Sequence, residues 1–296
     1  EDSTEKVFKV GAVSRDFNSP FQARLKLGME LAVQELSGIE LDIRDGESDP
    51  NVQTNIIETF IAQKKDMILI TPAQLDALVP VVKKCNEAGI PVITVNTKLG
   101  EGGKILTYVG ADDVDGGRVQ GKLVNAMLNG KGNIALIQGT LGSSPQVMRE
   151  QGLEKYLSLN APDIKIVAKQ NNDWDNAKTV TIVQNLLTRF PEGELDGIVL
   201  QGPYDAIAAA DTCRSVGRTE LLGKIVAFDL PQEVIDAINE GALYGSVLQD
   251  PQEQGSLSVK IAYEYLTGKN ENIALETWTA LPAVDKNNVQ SFGPAW

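Results

Sequence analysis

The chain has 296 residues, room for about two domains of ordinary size, with 27 basic against 40 acidic side chains and a net charge of −13. So acidic a chain (pI near 4.6) repels phosphate backbones and argues against nucleic-acid binding. A hydrophobic content of 42% argues against disorder, and no apolar run approaches the roughly 18–20 residues that span a bilayer. Histidine is absent, which removes the usual general base near neutral pH and the commonest metal ligand. Neither a metal site nor a cofactor is expected.

In chain order, Val7–Val13 reads as a strand. Ser19-Pro20 opens a helix, with Ser as cap and Pro in the first turn, and Phe21, Leu25, Gly28 and Ala32 follow at helical spacing. Ile39, Leu41 and Ile43 alternate as a strand. Asp49-Pro50 opens the next helix, Met67–Ile70 is an apolar strand, and Ala73–Ala88 reads as a helix ended by Gly89. Strands follow at Pro91–Val95 and Ile105–Val109.

The rhythm then repeats. Helices are predicted over Gly116–Leu128, Pro145–Leu159, Trp174–Arg189, Asp205–Val216, Gln232–Asn239 and Pro251–Leu266. Strands are predicted over Ile134–Ile137, Ile164–Ala168, Gly197–Leu200, Ile225–Phe228 and Gly245–Leu248. From Ile273 the tail is irregular with strand character. Short apolar strands separated by helices mark parallel sheets covered on both faces. Two sets of about five such units give an α/β protein of two doubly wound parallel-sheet lobes.

Cys85 and Cys213 fall in helix interiors, where cysteine usually behaves as a small buried apolar residue. Two buried thiols are expected, with a disulfide as the alternative. The chain opens Glu1-Asp2-Ser3 without an initiator Met or an apolar signal region, and reads as a mature or a trimmed form, in which a removed export signal is not visible.

In open α/β sheets ligands bind beyond the carboxyl ends of the strands. Those ends carry Ser14, Arg15, Asp16, Phe17, Phe21 and Gln22; Asn96, Thr97 and Lys98; Gln138-Gly139 with Arg149 and Gln151 in the helix that follows; Asn172, Asp173 and Trp174; Gln201, Gly202, Tyr204 and Asp205; Phe228 and Asp229; and Gln249. Carboxylates and amides can each bond two adjacent hydroxyls, and aromatic faces pack on the C–H faces of a sugar ring. Seven strand ends of this kind favour a polyhydroxylated small ligand over a merely polar rim.

Ser19-Pro20-Phe21, Ile90-Pro91-Val92-Ile93-Thr94, Gln138-Gly139, Arg149-Glu150-Gln151-Gly152, Asn185-Leu186-Leu187, Phe228-Asp229 and Gln249 are each short motifs, but their order and spacing are specific. On them the chain resembles the pentose- and hexose-binding periplasmic proteins of bacterial sugar ABC transporters, the ribose-binding group, from about Val7 to about Pro282. The resemblance implies the type I periplasmic binding protein fold. Residues 1–110 with 249–279 would form an N-terminal lobe, and 111–248 with 280–296 a C-terminal lobe. A three-crossing hinge would run near Val109–Asp112, Val247–Asp250 and Trp278–Leu281, with the ligand shut between the lobes by hinge motion.

It further implies a periplasmic, monomeric receptor that delivers a monosaccharide, polyol or cyclitol to ABC permease subunits in the membrane, without catalysis. By the resemblance Ser14, Phe21 and Gln22 take first-lobe ligand positions. Asn96 stands where the family usually has Asp, Thr97 where ribose binders have Arg, and Gln151 where a second Arg is expected, while Arg149 keeps its place. Trp174 replaces a stacking Phe, Gly202 falls where Asn is expected, and Phe228, Asp229 and Gln249 match. Arg15, Asp16, Phe17 and Tyr204 complete the expected ligand set from their strand ends. The charged complement is thus expected to shrink to mainly Asp229, so the ligand is expected to differ from ribose, with Arg15, Lys98 or Arg149 as the groups that can restore a positive charge.

Gly100-Glu101-Gly102-Gly103 lacks the Lys-Ser/Thr of a phosphate loop and reads as a turn. Asp112, Asp113 and Asp115 read as a helix N-terminus rather than a calcium site. An enzyme is disfavoured: Asp173/Asp175 and Asp42/Asp45 lack the spacing of a glycosidase pair across a sugar. A repressor's effector domain would need a basic DNA-binding motif ahead of the first strand, and none is expected there. A periplasmic sensory receptor for a non-sugar or quorum-type signal is the alternative reading.

Overall fold

The computed structural model describes residues 6–296; the opening Glu1-Asp2-Ser3 lies outside them. The chain divides into two compact α/β units. One takes the chain as far as Ala111 together with Asp250–Thr279, and the other takes Asp112–Gln249 together with Ala280–Trp296.

The first unit is built from β1 (Phe8–Ser14), α1 (Pro20–Gln34), β2 (Ile39–Asp45), α2 (Pro50–Ala62), β3 (Met67–Ile70), α3 (Val79–Glu87), β4 (Val92–Val95) and β5 (Thr107–Ala111). The second unit supplies α4 (Asp113–Leu128), β6 (Lys131–Gln138), α5 (Ser144–Asn160), β7 (Asp163–Asn171), α6 (Asn176–Arg189), β8 (Gly197–Leu200), α7 (Tyr204–Ser215), β9 (Ile225–Val226), α8 (Gln232–Glu240) and β10 (Gly245–Val247). Helix α9 (Pro251–Leu266) and β11 (Glu276–Thr279) return to the first unit, and β12 (Ala283–Asp285) to the second.

The strand orders are β11-β5-β4-β3-β1-β2 and β12-β10-β9-β8-β6-β7. All pairings in the first sheet are parallel. The second is parallel except where β12 lies antiparallel to β10. The central strands read Met-Ile-Leu-Ile and Gly-Ile-Val-Leu and are buried along their whole length, as strands covered on both faces must be.

Each unit packs two helices backbone to backbone through glycines. A Cβ on Gly28 would stand 2.1 Å from the Gln252 carbonyl oxygen, and one on Gly255 would stand 2.0 Å from that of Leu25, which locks α1 to α9. Gly117 and Gly152 do the same for α4 and α5, with 1.9 Å to the Arg149 and Val114 oxygens.

Several sequence expectations are corrected. Helix α3 begins at Val79, not Ala73, because the segment before it is spent on long-range bonds: Ala73 N donates to Gln53 Oε1 (3.0 Å), and Gly100 N to the Leu75 carbonyl (2.5 Å). Ser19 is the N-cap residue of α1 but its side chain makes no capping bond; its own N–H donates to Asp16 Oδ1 instead (2.7 Å). Helix α4 begins at Asp113, three residues before the expected Gly116, since Asp112 caps it. Helix α6 begins after Asp175, because Asp173 and Trp174 have positive φ. Both cysteines are free and buried.

Candidate functional site

In the first unit the carboxyl ends of β1 and β4 carry a connected set of neutral polar groups. Ser14 Oγ donates to the Asp16 carbonyl (3.0 Å) and lies 3.4 Å from Gln22 Oε1. Gln22 Nε2 reaches Asn96 Oδ1 (3.4 Å), Asn96 Nδ2 donates to Gln254 Oε1 (3.1 Å), and Gln254 Nε2 donates to Thr279 Oγ1 (3.2 Å). Ser14, Gln22, Asn96 and Gln254 are all buried. Asn96 holds φ +64, a conformation that non-glycine residues seldom adopt and Asn adopts most readily. The Tyr108 hydroxyl caps its carbonyl at 2.8 Å.

Arg15 and Asp16 form an ion pair at 2.9 Å. Burial pushes the Asp16 carboxyl up, but Arg15, the Ser19 N–H and the Ser48 hydroxyl outweigh it and hold the group below its usual value. Phe17 and Phe21 are half-buried, and Lys26 Nζ stands 5.7 Å over the Phe17 ring. Thr97 is buried and its hydroxyl donates to the Pro72 carbonyl (2.7 Å). Lys98 pairs with Glu276 at 2.7 Å and lies over the Trp278 ring.

The second unit's strand ends are charged. Arg149 Nε donates to Asp113 Oδ1 (2.8 Å) and its Nη1 to the Gln201 carbonyl (2.8 Å), while the guanidinium carbon stands 3.5 Å from the centroid of the Phe228 ring. A guanidinium so placed gains both a charge-assisted bond and a cation–π contact. Asp229 has φ +70. Gln249 Nε2 donates to its Oδ1 (2.7 Å), and the Ser246 hydroxyl to its carbonyl (2.5 Å). Asn172 Nδ2 donates to Asp205 Oδ2 (2.8 Å).

Burial pushes the Asp229 carboxyl up to about 6; Arg149 and Gln249 oppose the rise, and the charges of Asp113 and Asp205 add to it. Asp205 is likewise pushed up to about 6 by burial, against the bonds from Asn172 and the Ala206 N–H. Removal of a carboxylate from water disfavours its charged form, and one guanidinium among three carboxylates does not restore it.

Trp174, half-buried, lies in a slot between two glycines. A Cβ on Gly139 would fall 1.9 Å from the indole Cζ2, and one on Gly202 would fall 3.2 Å from Cζ3. Neither glycine has a positive φ, so Gly139 is small to make room for the ring, and Gly202 for the Asp205 carboxylate (2.8 Å) as well as the ring. Tyr204 is half-buried at the start of α7, and its hydroxyl accepts from the Trp296 indole N–H (2.9 Å).

Gln151 is exposed and lies about 200° round α5 from Arg149, away from the bonds that Arg149 makes. Asp113, Asp205 and Arg149 are buried in the same unit as Asp229. Gln254, Asp113 and Asn172 are further members of these networks, drawn in from helix starts and a strand exit. Of the acidic pairs weighed for catalysis, Asp175 caps α6, Asp173 pairs with Lys178, Asp42 holds Arg44 and Lys65, and Asp45 accepts from the Glu47 N–H.

Comparison with known proteins places these networks in context. Residues 10–270 match the model of a family described as a periplasmic binding protein domain. Among curated proteins the chain is 30% identical over 281 residues to a xylitol-binding protein of Mycolicibacterium smegmatis, covering 95% of this chain and 78% of that one. It is 29% identical over 265 residues to a ribose import binding protein of Bacillus subtilis (90% and 84%). Among solved structures, an ABC transporter solute binding protein from Mycobacterium smegmatis with bound glycerol superposes with a TM-score of 0.87 at 27% identity, covering 96% of each chain. One from Bacillus halodurans with bound myo-inositol gives 0.89 at 24%, covering 98% of each, a likeness of fold.

Proposed function

This chain belongs to the periplasmic binding protein family, and from that premise we propose that it is the solute-binding protein of an ABC importer, taking up a sugar, polyol or cyclitol. The observation that carries the reading is the pair of polar networks at the carboxyl ends of the two sheets. One is amide-based, around Asn96, and the other is charged, around Asp229, with aromatic faces at Phe228 and Trp174. Amide and carboxylate pairs suit vicinal hydroxyls, and the aromatic rings suit the C–H faces between them. The named ligands of its relatives, xylitol, ribose and glycerol, are all polyhydroxylated, which favours import over the sensory-receptor reading.

The groups suited to a ligand are Ser14, Gln22 and Asn96 in the first unit and Arg149, Phe228, Asp229 and Gln249 in the second, with Trp174 as a stacking face. The neutral Asn96 and the occupied Thr97 hydroxyl give the first unit few charge-assisted bonds, so the ligand differs from ribose. The protein works in the periplasm as a monomer, binds without turning its ligand over, and passes it to permease subunits.

A thermal-shift screen of stripped protein against pentoses, hexoses, polyols, inositols and amino acids tests this. A ligand present at 100 times its dissociation constant adds about 2.7 kcal/mol. One strong shift among the sugars and polyols, without turnover, is expected. Silence across them would move the assignment to a receptor for a non-sugar signal.

A further inference from the structure

We propose that Trp296 is a positioning residue of the ligand site: its indole N–H holds the Tyr204 phenol so that the phenol proton is offered to the ligand. The proposal rests on the importer reading above and adds to it a donor whose direction is fixed.

The argument begins with hydrogen-bond chemistry. An indole nitrogen only donates, whereas a phenol both donates and accepts. At 2.9 Å between Trp296 Nε1 and Tyr204 Oη, the indole is the donor and the phenol oxygen the acceptor. The phenol's own proton must therefore point away from the indole. Tyr204 begins α7 just beyond the end of β8, at the strand ends that carry the second unit's polar set. Burial and the nearby charges of Glu233 and Asp229 keep the phenol protonated, against the lowering effect of the Trp296 bond. The hydroxyl is thus a neutral donor held in one orientation.

Trp296 is itself held. The tail runs from β12 through a short 3-10 turn (Val289–Ser291) in which Val289 is buried, and Phe292 packs against the unit's core. Ala295 N then donates to the Leu230 carbonyl (2.9 Å), one residue past Asp229. The same five or so residues of tail therefore brace two ligand-bearing loops, the one with Asp229 and the one with Tyr204. A phenol fixed in advance loses little side-chain entropy when a ligand arrives.

The test separates packing from positioning. Trp296→Phe keeps the ring and removes the N–H; Tyr204→Phe removes the donor. Wild type, both single variants and the double variant are titrated calorimetrically with xylitol, ribose and myo-inositol. Tyr204 ionisation is followed by ultraviolet difference absorbance, with Tyr204→Phe as the blank, and thermal unfolding checks that all four fold. Each single variant is expected to bind the tightest of the three sugars or polyols about tenfold more weakly, the equivalent of one hydrogen bond. The double variant is expected to bind no more weakly than the singles, and Trp296→Phe should move the ionisation of Tyr204 to higher pH.

Wild-type affinity in Trp296→Phe, or losses that add in the double variant, overturns the proposal. If wild type binds none of the three, the titrations are made with the ligand found in the thermal-shift screen, and silence of that whole screen fails the importer reading on its own account. The ionisation then decides the rest: no change in Trp296→Phe overturns the fixed hydroxyl as well, and a shift to higher pH supports it.

Discussion

Asn96 and Asp229 hold the same place in their two sheets. Each follows the strand fourth from the β2 or β7 edge, each has a left-handed backbone (φ +64 and +70), and each donates its N–H to the next strand at 2.8 Å, to Val109 and Val247 respectively. Each has its carbonyl capped by a hydroxyl from that next strand, Tyr108 or Ser246, and each shares its side chain with a glutamine, Gln254 or Gln249. The backbone device is common because the topology is common. The left-handed turn restricts the position to residues such as Asn and Asp, and within that restriction the two units differ by a charge. The first unit's network is neutral. The second gathers three buried carboxylates around one guanidinium. The same scaffold thus carries an amide network in one unit and a charged one in the other.

If charge is the difference, its removal should cost more in the second unit than an equivalent change in the first. Arg149→Met takes the guanidinium from the buried Asp113 carboxylate and the Nη1 donor from the Gln201 carbonyl; a loss of about 3–5 kcal/mol is expected. Gln254→Met in the first unit breaks the bonds to Asn96 and Thr279 and should cost about 1–3 kcal/mol. Urea unfolding of both variants gives the comparison. Equal losses would mean that the two networks are held by the same energetics despite the charge.

The units should also respond to acid with opposite sign. Asp229 and Asp205 are raised from 3.8 to about 6, so between those values the folded state binds more protons than the unfolded one, and stability falls as pH rises through that window. Asp16 in the first unit is lowered; its contribution is present above 3.8 and is lost as pH falls through its folded value. Asp229→Asn keeps a residue suited to the left-handed turn and removes one of the raised groups. We expect it to flatten the loss of stability from pH 4 to pH 7 and to weaken sugar or polyol binding about tenfold or more, since charge-assisted bonds are about twice as strong as neutral ones. Denaturation curves across that range, with calorimetry at neutral pH, read both effects; an unchanged slope would place the titrating charge elsewhere.

How much of this the sequence carried depends on what each residue answers to. Met67–Ile70 and Gly197–Leu200 were readable as strands because every position in them is buried, which leaves an apolar run. Helix α9 occupies the residues predicted for it, Pro251–Leu266. The segment from Ala73 to Leu78 was not readable, since its conformation is set by Gln53 and Gly100, far away in sequence. Arg149 and Asp229 were legible as strand-end residues, but their company was not: Asn96 and Gln254 are 158 positions apart, and Arg149 and Asp113 are 36. Trp296 gave no sequence signal at all.

The smallest expected effect concerns the helix that follows the first strand of each unit. Helices α1 and α5 both begin with Ser and a proline in the first turn, and neither Ser19 nor Ser143 makes a side-chain capping bond. By contrast Asp49, Asp112, Asp175 and Asp250 all cap their helices through the side chain. A cap is worth about 1 kcal/mol because it satisfies an N–H that the helix leaves unpaired. Asp175→Ala, which loses bonds to the Ala177 and Lys178 N–H groups, should therefore cost about that much. Ser19→Ala loses no such bond and should stay within roughly 0.5 kcal/mol. Ser143→Ala gives up only a hydroxyl bond to the Thr140 carbonyl and should fall between them. If Ser19→Ala proved as costly as Asp175→Ala, its hydroxyl would be capping α1 in solution, and the first unit's helix would begin in a way that its counterpart in the second does not.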